Sequence, residues 1–410
     1  MPERLPSFAQ RSIELAKALL DRMMYGLRPR FDLDSLHDEM SIVKHGYSFV
    51  QDPRNNLSTK YLELSSQACL DPENGLMSGE SWNSKAVRHY LHQNEELLKQ
   101  IGLLLHLTGG QAPRSTELSS IECENGPTTS RGFYIHDGAV CYVTRHSKSR
   151  RTTNHEFQVA RYLPSCASLI LVEYLVYIRP FVAMLRRICF GQNEKSRLLF
   201  HYTGRPSAPW KAEILTKALR GHTNDTCGVE IGIQVYRQLS IAITEKHVKQ
   251  ISRPFHLNDD RSAQADMEVA FAWQSGHRPN QRGTSYGIDS AFPDSLQPAL
   301  LRVYRWTSDQ WHRFINLESP SRMKKPIRAP PAWPRKNNAH ETDQLKRKVA
   351  PHVEETVDRP TKRRFPWARP GEFSHSHRLA PGRRRDHERI HLHQGVHQTA
   401  TDRLSVCLIT

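Results

Sequence analysis

Apolar residues recur at three- and four-residue spacing through most of the first 110 positions, a period that predicts helices. From Phe8 to Tyr25, the residues Ile13, Ala16, Leu19, Leu20 and Met23 share one face. Asp34 is placed to cap a second helix carrying Leu36, Met40 and Val43. Asp52-Pro53-Arg54-Asn55-Asn56 reads as a turn, and a third helix runs from Ser58 or Thr59 to a stop at Asp71-Pro72-Glu73-Asn74-Gly75. Asn83 or Ser84 then caps a long helix with Val87, Tyr90, Leu91, Leu97, Leu98, Ile101, Leu104 and Leu105 on its buried face. Thr108-Gly109-Gly110 ends it, the double glycine serving as a C-cap.

Beyond residue 130 the pattern changes. Phe133-Tyr134-Ile135 and Val140-Cys141-Tyr142-Val143 flank Asp137-Gly138, the signature of a β-hairpin with a tight turn. Ala167 to Ile178 is a central apolar helix led by Tyr162-Leu163-Pro164 and bounded by Arg179-Pro180. Its most apolar run, Leu169 to Ile178, is short and contains Glu173, so it reads as a buried helix and not a membrane span. Leu198-Leu199-Phe200 is a short strand ended by Gly204-Arg205-Pro206. A helix follows from Lys211 to Leu219, then a polar loop from Gly221 to Gly228, then a helix from Gln234 to Ile243. Residues 262 to 275 form an amphipathic helix ending at Gly276, and Trp306 and Trp311 mark a last packed helix. The expected fold is mainly α with a small β-hairpin or sheet: a helical domain over 6–95, a second domain over 96–317, and a tail over 318–410. In that tail proline, arginine and histidine are frequent and no apolar period survives, so it is expected to be disordered.

Charge narrows the partners. The formal charge is +16 and the pI 9.6, which favours a polyanion, nucleic acid before an anionic membrane surface. Seven scattered cysteines include no CxxC pair, so neither a zinc knuckle nor a disulfide framework is expected. Met1-Pro2-Glu3-Arg4 leads into a polar amphipathic stretch, not a secretory signal. Lys346-Arg347-Lys348, Lys362-Arg363-Arg364 and Arg383-Arg384-Arg385 are basic clusters suited to nuclear import or nonspecific nucleic-acid contact. The tail histidines have no regular zinc spacing, and no metal ligand set is expected.

Several side chains stand out chemically. Pro113 suits the first turn of a helix, which puts Arg114 at a helix N-terminus, where free N–H groups already favour an anion. Glu117, three residues on, shares its face and can orient the guanidinium. The second hairpin arm runs into Arg145-His146-Ser147-Lys148-Ser149-Arg150-Arg151, a basic loop able to reach a phosphate backbone. Arg237 lies near the start of an otherwise apolar helix. A partly buried arginine needs an anion, so it is either paired to an acid or reserved for a ligand phosphate. Gly276-His277 is followed nine residues later by Tyr286. Each of these alone also fits an ordinary surface or loop residue.

The order Arg114-x-x-Glu117-Leu118, hairpin Lys148, Arg237, Gly276-His277, Tyr286 resembles the tyrosine recombinase (integrase) family. It looks closest to Crypton-type recombinases of fungal mobile elements and to the recombinase-like region of fungal telomere-linked RecQ-type helicase genes. No Walker A sequence occurs in these residues, so no helicase engine is expected within them. The resemblance implies a core-binding-like helical domain followed by a catalytic domain that breaks and rejoins double-stranded DNA. Arg114 and Arg237 would hold the phosphate, His277 would donate to it, Tyr286 would attack, and Lys148 would protonate the leaving oxygen. Arg145, Arg150 and Arg151 would contact the backbone. It implies no metal and no other cofactor, no membrane, a homo-oligomer on paired sites, and a nuclear location. One position departs from the family: where it carries histidine three residues before the second arginine, this chain has Gln234, which cannot serve as a base. His222 and His247 are candidate substitutes. A decayed or domesticated DNA-binding module is therefore the alternative, with a topoisomerase-like relaxing enzyme behind it.

Overall fold

In the computed structural model, residues 5–146, 157–193, 195–248, Gln274, Leu296 and 298–320 are described. They lie in the first of two compact units, Met1–Trp333; the second, Pro334–Thr410, falls outside the described residues, as does the expected tail beyond residue 320. Helix accounts for 54% of the described residues and strand for 11%, which makes the class mainly α with small sheets.

Helix α3, Ser84–Thr108, is the spine. Asn83 Oδ1 caps it by accepting from the Lys85 and Ala86 amides at 3.1 and 3.2 Å. Its first half buries one face, through Val87, Tyr90, Leu97 and Leu98. From Ile101 to Thr108 every residue is buried. A helix buried all round needs neighbours on every side. They are α1 (Leu5–Met23), α5 (Ser165–Glu173), α6 (Arg179–Phe190) and α7 (Ala212–Cys227). Gly102 lets α7 close in: a Cβ there would sit 2.5 Å from Leu215 Cδ2. Helix α1 presents Phe8, Ile13, Ala16, Leu20 and Met23 to the same core, and Tyr90 Oη donates to Met23 O at 3.2 Å. The boundary expected at 95/96 falls inside α3, a single unbroken helix.

Four local expectations are corrected. Residues 34–43 form turns, not a helix, and Val43 is exposed. This stretch is claimed by distant partners: Asp38 pairs with the buried Arg131 at 2.5 Å, and Asn125 Nδ2 donates to the carbonyls of Ile42 and Lys44. Those contacts override local helix propensity. The apolar helix does not stop at Arg179-Pro180. A π turn, Tyr174–Ile178, joins α5 to α6, with proline in the first turn of α6, where an amide donor is least needed. The joined segment, Ser165–Phe190, has the length and hydropathy of a membrane span, yet 72% of its apolar window is buried in the protein. Helix α7 continues through the expected polar loop to Cys227, because His222 and Thr223 turn into the core. Finally, Leu198 makes only an isolated bridge to Glu122, and β6 (His201–Tyr202) pairs with β7 (Arg205–Pro209) across Gly204.

The other elements follow the apolar pattern more closely. Asp52 caps a 3-10 turn, Pro53–Asn55. Helix α2 spans Tyr61–Leu70, and a two-residue ribbon pairs β1 (Met77–Ser78) with β2 (Ser81–Trp82). The hairpin is β3 (Phe133–His136) against β4 (Ala139–His146), with Asp137 and Gly138 both at positive φ, the turn that matches strand twist. A third strand, β5 (Phe157–Tyr162), pairs antiparallel with β4 in a register that sets Tyr142 opposite Arg161. Both of its faces are covered, so its sequence shows no alternation. Helix α8 (Ile233–Ile243) runs into a π turn, Thr244–Val248. The last helix, α9 (Pro298–Phe314), lays Leu300, Leu301 and Tyr304 on the sheet, and Trp311 Nε1 donates to Leu107 O at 2.8 Å.

Candidate functional site

The site is built around the connection that leaves α3. Gly110 has φ +116°, a conformation that L side chains rarely adopt, and a Cβ there would meet Gln274 Oε1 at 2.4 Å. Gln274 Oε1 accepts from the Gln111 amide at 2.8 Å. The chain thus turns sharply, passes Ala112 and Pro113 in buried positions, and delivers Arg114 to the start of α4, Ser115–Ser119. Arg114 is the N-cap itself, so Pro113 precedes the helix instead of occupying its first turn. Glu117 makes the expected contact and one more. Its Oε1 accepts from Arg114 Nη1 at 3.1 Å and its Oε2 from the Arg114 amide at 3.2 Å. The two side chains are 29% and 11% exposed, so the pair is sheltered but reachable.

Arg237 arrives from α8. Its Nε donates to Ala112 O at 3.3 Å, in the same connection. Burial holds its guanidinium below the ordinary arginine value, and the neighbouring Arg114 pushes it the same way; Glu117 opposes them and Arg161 adds to them. Two arginines 123 positions apart are therefore brought together by fold. Of the two expected alternatives for Arg237, an acid does stand nearby, but Glu117 is shared with Arg114. Gln234 lies one turn earlier on α8 and is exposed.

Arg161, which the sequence reading passed over, lies behind this pair and is 1% exposed. Its Nε donates to Gln111 O at 2.7 Å, its Nη1 to Thr144 Oγ1 at 2.7 Å, and its Nη2 to Gln274 O. All three acceptors are neutral. The only available signal was an arginine between Ala160 and Tyr162 in an apolar stretch. Gln111 Nε2 also donates to Thr244 Oγ1, and Ser308 Oγ donates to Gly109 O at 2.9 Å. His106, fully buried, is lowered to about 3, first by burial and then by Arg161 and Arg237. Neither of its ring nitrogens has a hydrogen-bond partner among the described residues. Arg237 thus feels Arg114 and Arg161 as like charges and Glu117 as an opposing one. Clustered guanidinium groups are chemically suited to an anion.

The remaining expected residues divide. Arg145 lies on β4, half-buried, with Nη2 donating to Ser130 O at 2.7 Å. Lys148, Arg150, Arg151, His277 and Tyr286 lie outside the described residues, as does all but Gln274 of the helix expected over 262–275. His222 is held by Phe8 O at 2.8 Å, on the α1 side of the core, and His247 is exposed. Among the described residues no three His, Cys, Asp or Glu side chains gather as a metal site. No family model matches the chain, and no solved structure matches it.

Proposed function

We propose that the chain is a tyrosine recombinase of a mobile element, nuclear, acting as a homo-oligomer on paired sites in double-stranded DNA. On this reading the sheet, α4 and α8 belong to a recombinase-like catalytic domain. The observation that carries the proposal is the convergence of Arg114 and Arg237, with Glu117, on the connection after α3.

The chemistry follows from charge. A phosphodiester carries one negative charge and gains another when a nucleophile adds. Two guanidinium groups on its nonbridging oxygens stabilise that added charge. Tyr286 attacks phosphorus through Oη, forming a 3′-phosphotyrosyl bond as the bond to the 5′-oxygen breaks. Lys148 gives the leaving oxygen its proton, and the product is a free 5′-hydroxyl. A tyrosine of ordinary pKa near 10 is ionised only about once in a thousand at pH 7, a deficit of roughly 4 kcal/mol. The cationic surroundings of the phosphate lower that deficit, or a base removes the proton during attack. The bond energy stays in the protein linkage, so rejoining needs no ATP.

A nicked suicide duplex carrying the element's terminal sequence tests this. The full chain is expected to give a covalent DNA–protein band on a denaturing gel, and Tyr286→Phe none. A second reading is favoured by Gln234, which can donate and accept hydrogen bonds but cannot take up a proton: a DNA-binding module with the same cleft and no cleavage. Salt-sensitive binding by both proteins without a covalent band would establish that alternative.

A further inference from the structure

We infer that Arg161 is a positioning residue for DNA cleavage, a buried latch that ties together the three chain segments bearing on the scissile phosphate. The inference rests on the recombinase reading above and names a residue which that reading does not use.

The geometry is specific. A guanidinium presents its donors in a fixed planar fork. In Arg161 each nitrogen of that fork serves a different segment. Nε holds Gln111 O, three residues before Arg114. Nη1 holds Thr144 Oγ1 on β4, four residues before Lys148. Nη2 holds Gln274 O, three residues before His277. Gln274 closes the loop from its other end: its Oε1 takes the Gln111 amide at 2.8 Å, and its Nε2 donates to Ser308 Oγ at 3.2 Å. The fourth segment, α8, reaches the same connection through Arg237 Nε and Ala112 O. Tyr142 adds a ring face 5.8 Å from the Arg161 guanidinium carbon.

A residue kept only for stability would be a poor choice here. Arg161 is buried with neutral acceptors, and its charge works against that of Arg237. Burying a cation this way is costly, and apolar replacements of similar volume are often as stable or more so. The arrangement makes sense where register matters. A reacting group misplaced by about 1 Å costs on the order of 100-fold in rate. One planar side chain spanning three segments fixes their spacing in a way that separate contacts do not.

Full-length wild type, Arg161→Lys and Gln274→Ala would be compared. Lysine keeps the charge, but a single ammonium does not reproduce the fork. The measurements are melting temperature, affinity for duplex DNA, single-turnover formation of the covalent product on the suicide duplex, and amide exchange at Gln111. Arg161→Lys is expected to fold and to bind DNA within about threefold of wild type. Its covalent rate should fall by about 100-fold, with Gln111 exchanging at least about tenfold faster. Gln274→Ala, which leaves the carbonyl for Arg161, should fall by about tenfold in rate and also lose protection at Gln111. If the lysine variant does not fold, Thr144→Val, which removes the Nη1 acceptor of the fork, carries the test, with a covalent rate at least about tenfold below wild type expected at unchanged DNA affinity. A folded variant that cleaves within about threefold of wild type overturns the inference. If wild type itself forms no covalent product, the recombinase reading fails, and with it the catalytic role of Arg161. The Gln111 exchange data then show separately whether the latch exists.

Discussion

Two arginines of this protein are each 1% exposed, and they are handled in opposite ways. Arg131 has a carboxylate of its own: Asp38 at 2.5 Å, with both side chains fully buried. Its guanidinium also sits between two rings, 4.7 Å from the Tyr47 centroid and 4.4 Å from that of Tyr134. Arg161 has three neutral oxygens and one more distant ring, and its neighbours include Arg237. The first arrangement is closed, with charge neutralised and the chain before the hairpin pinned in place. The second leaves positive potential beside Arg114 and Arg237. An arginine paired to a carboxylate is neutralised where it sits, whereas one bonded only to neutral oxygens keeps its charge in the interior.

The largest effect should come from opening the closed pair. Arg131→Met strands the Asp38 carboxylate in the core and should cost about 3–5 kcal/mol in denaturant unfolding. Removing both charges, with Asp38→Leu added, should recover most of that. A single-variant loss below about 1 kcal/mol would mean that the two arginines are not so different. Next is Gly110→Ala, beside the open arginine. The positive φ and the 2.4 Å approach to Gln274 Oε1 act together, so the loss should be about 1–3 kcal/mol. Gly204→Ala is the control, because its φ is +77° with nothing within 4 Å, and it should lose less. Equal losses would show that the Gln274 contact gives way easily.

The smallest effect, taken over a single pH unit, is one of pH. The unfolded chain protonates His106 near 6.5, but the folded protein does so only at about 3. Between those values the unfolded state binds more protons, so stability falls as pH falls. This histidine contributes a slope of up to about 1.4 kcal/mol per pH unit. His106→Phe should flatten the urea-derived stability profile below pH 6.5 by that one proton. His312, also lowered to about 3, and Glu173, raised to about 7 and acting in the opposite sense, are common to both proteins. Superimposable profiles would show that burial, and the arginines behind it, do not hold His106 below its ordinary value.

What the sequence made legible was mostly local. Asn83, the apolar face of α3 and the Asp137-Gly138 turn carry their own instructions, and those elements form where the pattern puts them. Arg237 stood out as an arginine in an otherwise apolar helix, and Arg114 and Glu117 as a pair three residues apart at a helix start. The misses share a nonlocal cause. Asp38 leaves the expected helix at 34–43 for Arg131, 93 positions away. Strand β5 has no alternation because both of its faces are covered, so Arg161 had no structural context to mark it. Helix α7 runs on because His222 reaches Phe8, 214 positions earlier.

The bonds that shape the connection before Arg114 also set a timetable. Gln111 meets Gln274 across 163 positions, Gly109 meets Ser308 across 199, and Leu107 meets Trp311 across 204. Closing loops of that length is slow, and on a ribosome it must wait until those late residues have emerged. The hairpin and α1–α3 can form while synthesis continues, but the two arginines acquire their final spacing only after α9 has been made. A nascent chain thus completes the surroundings of Arg114 and Arg237 last, by the order in which its own segments appear.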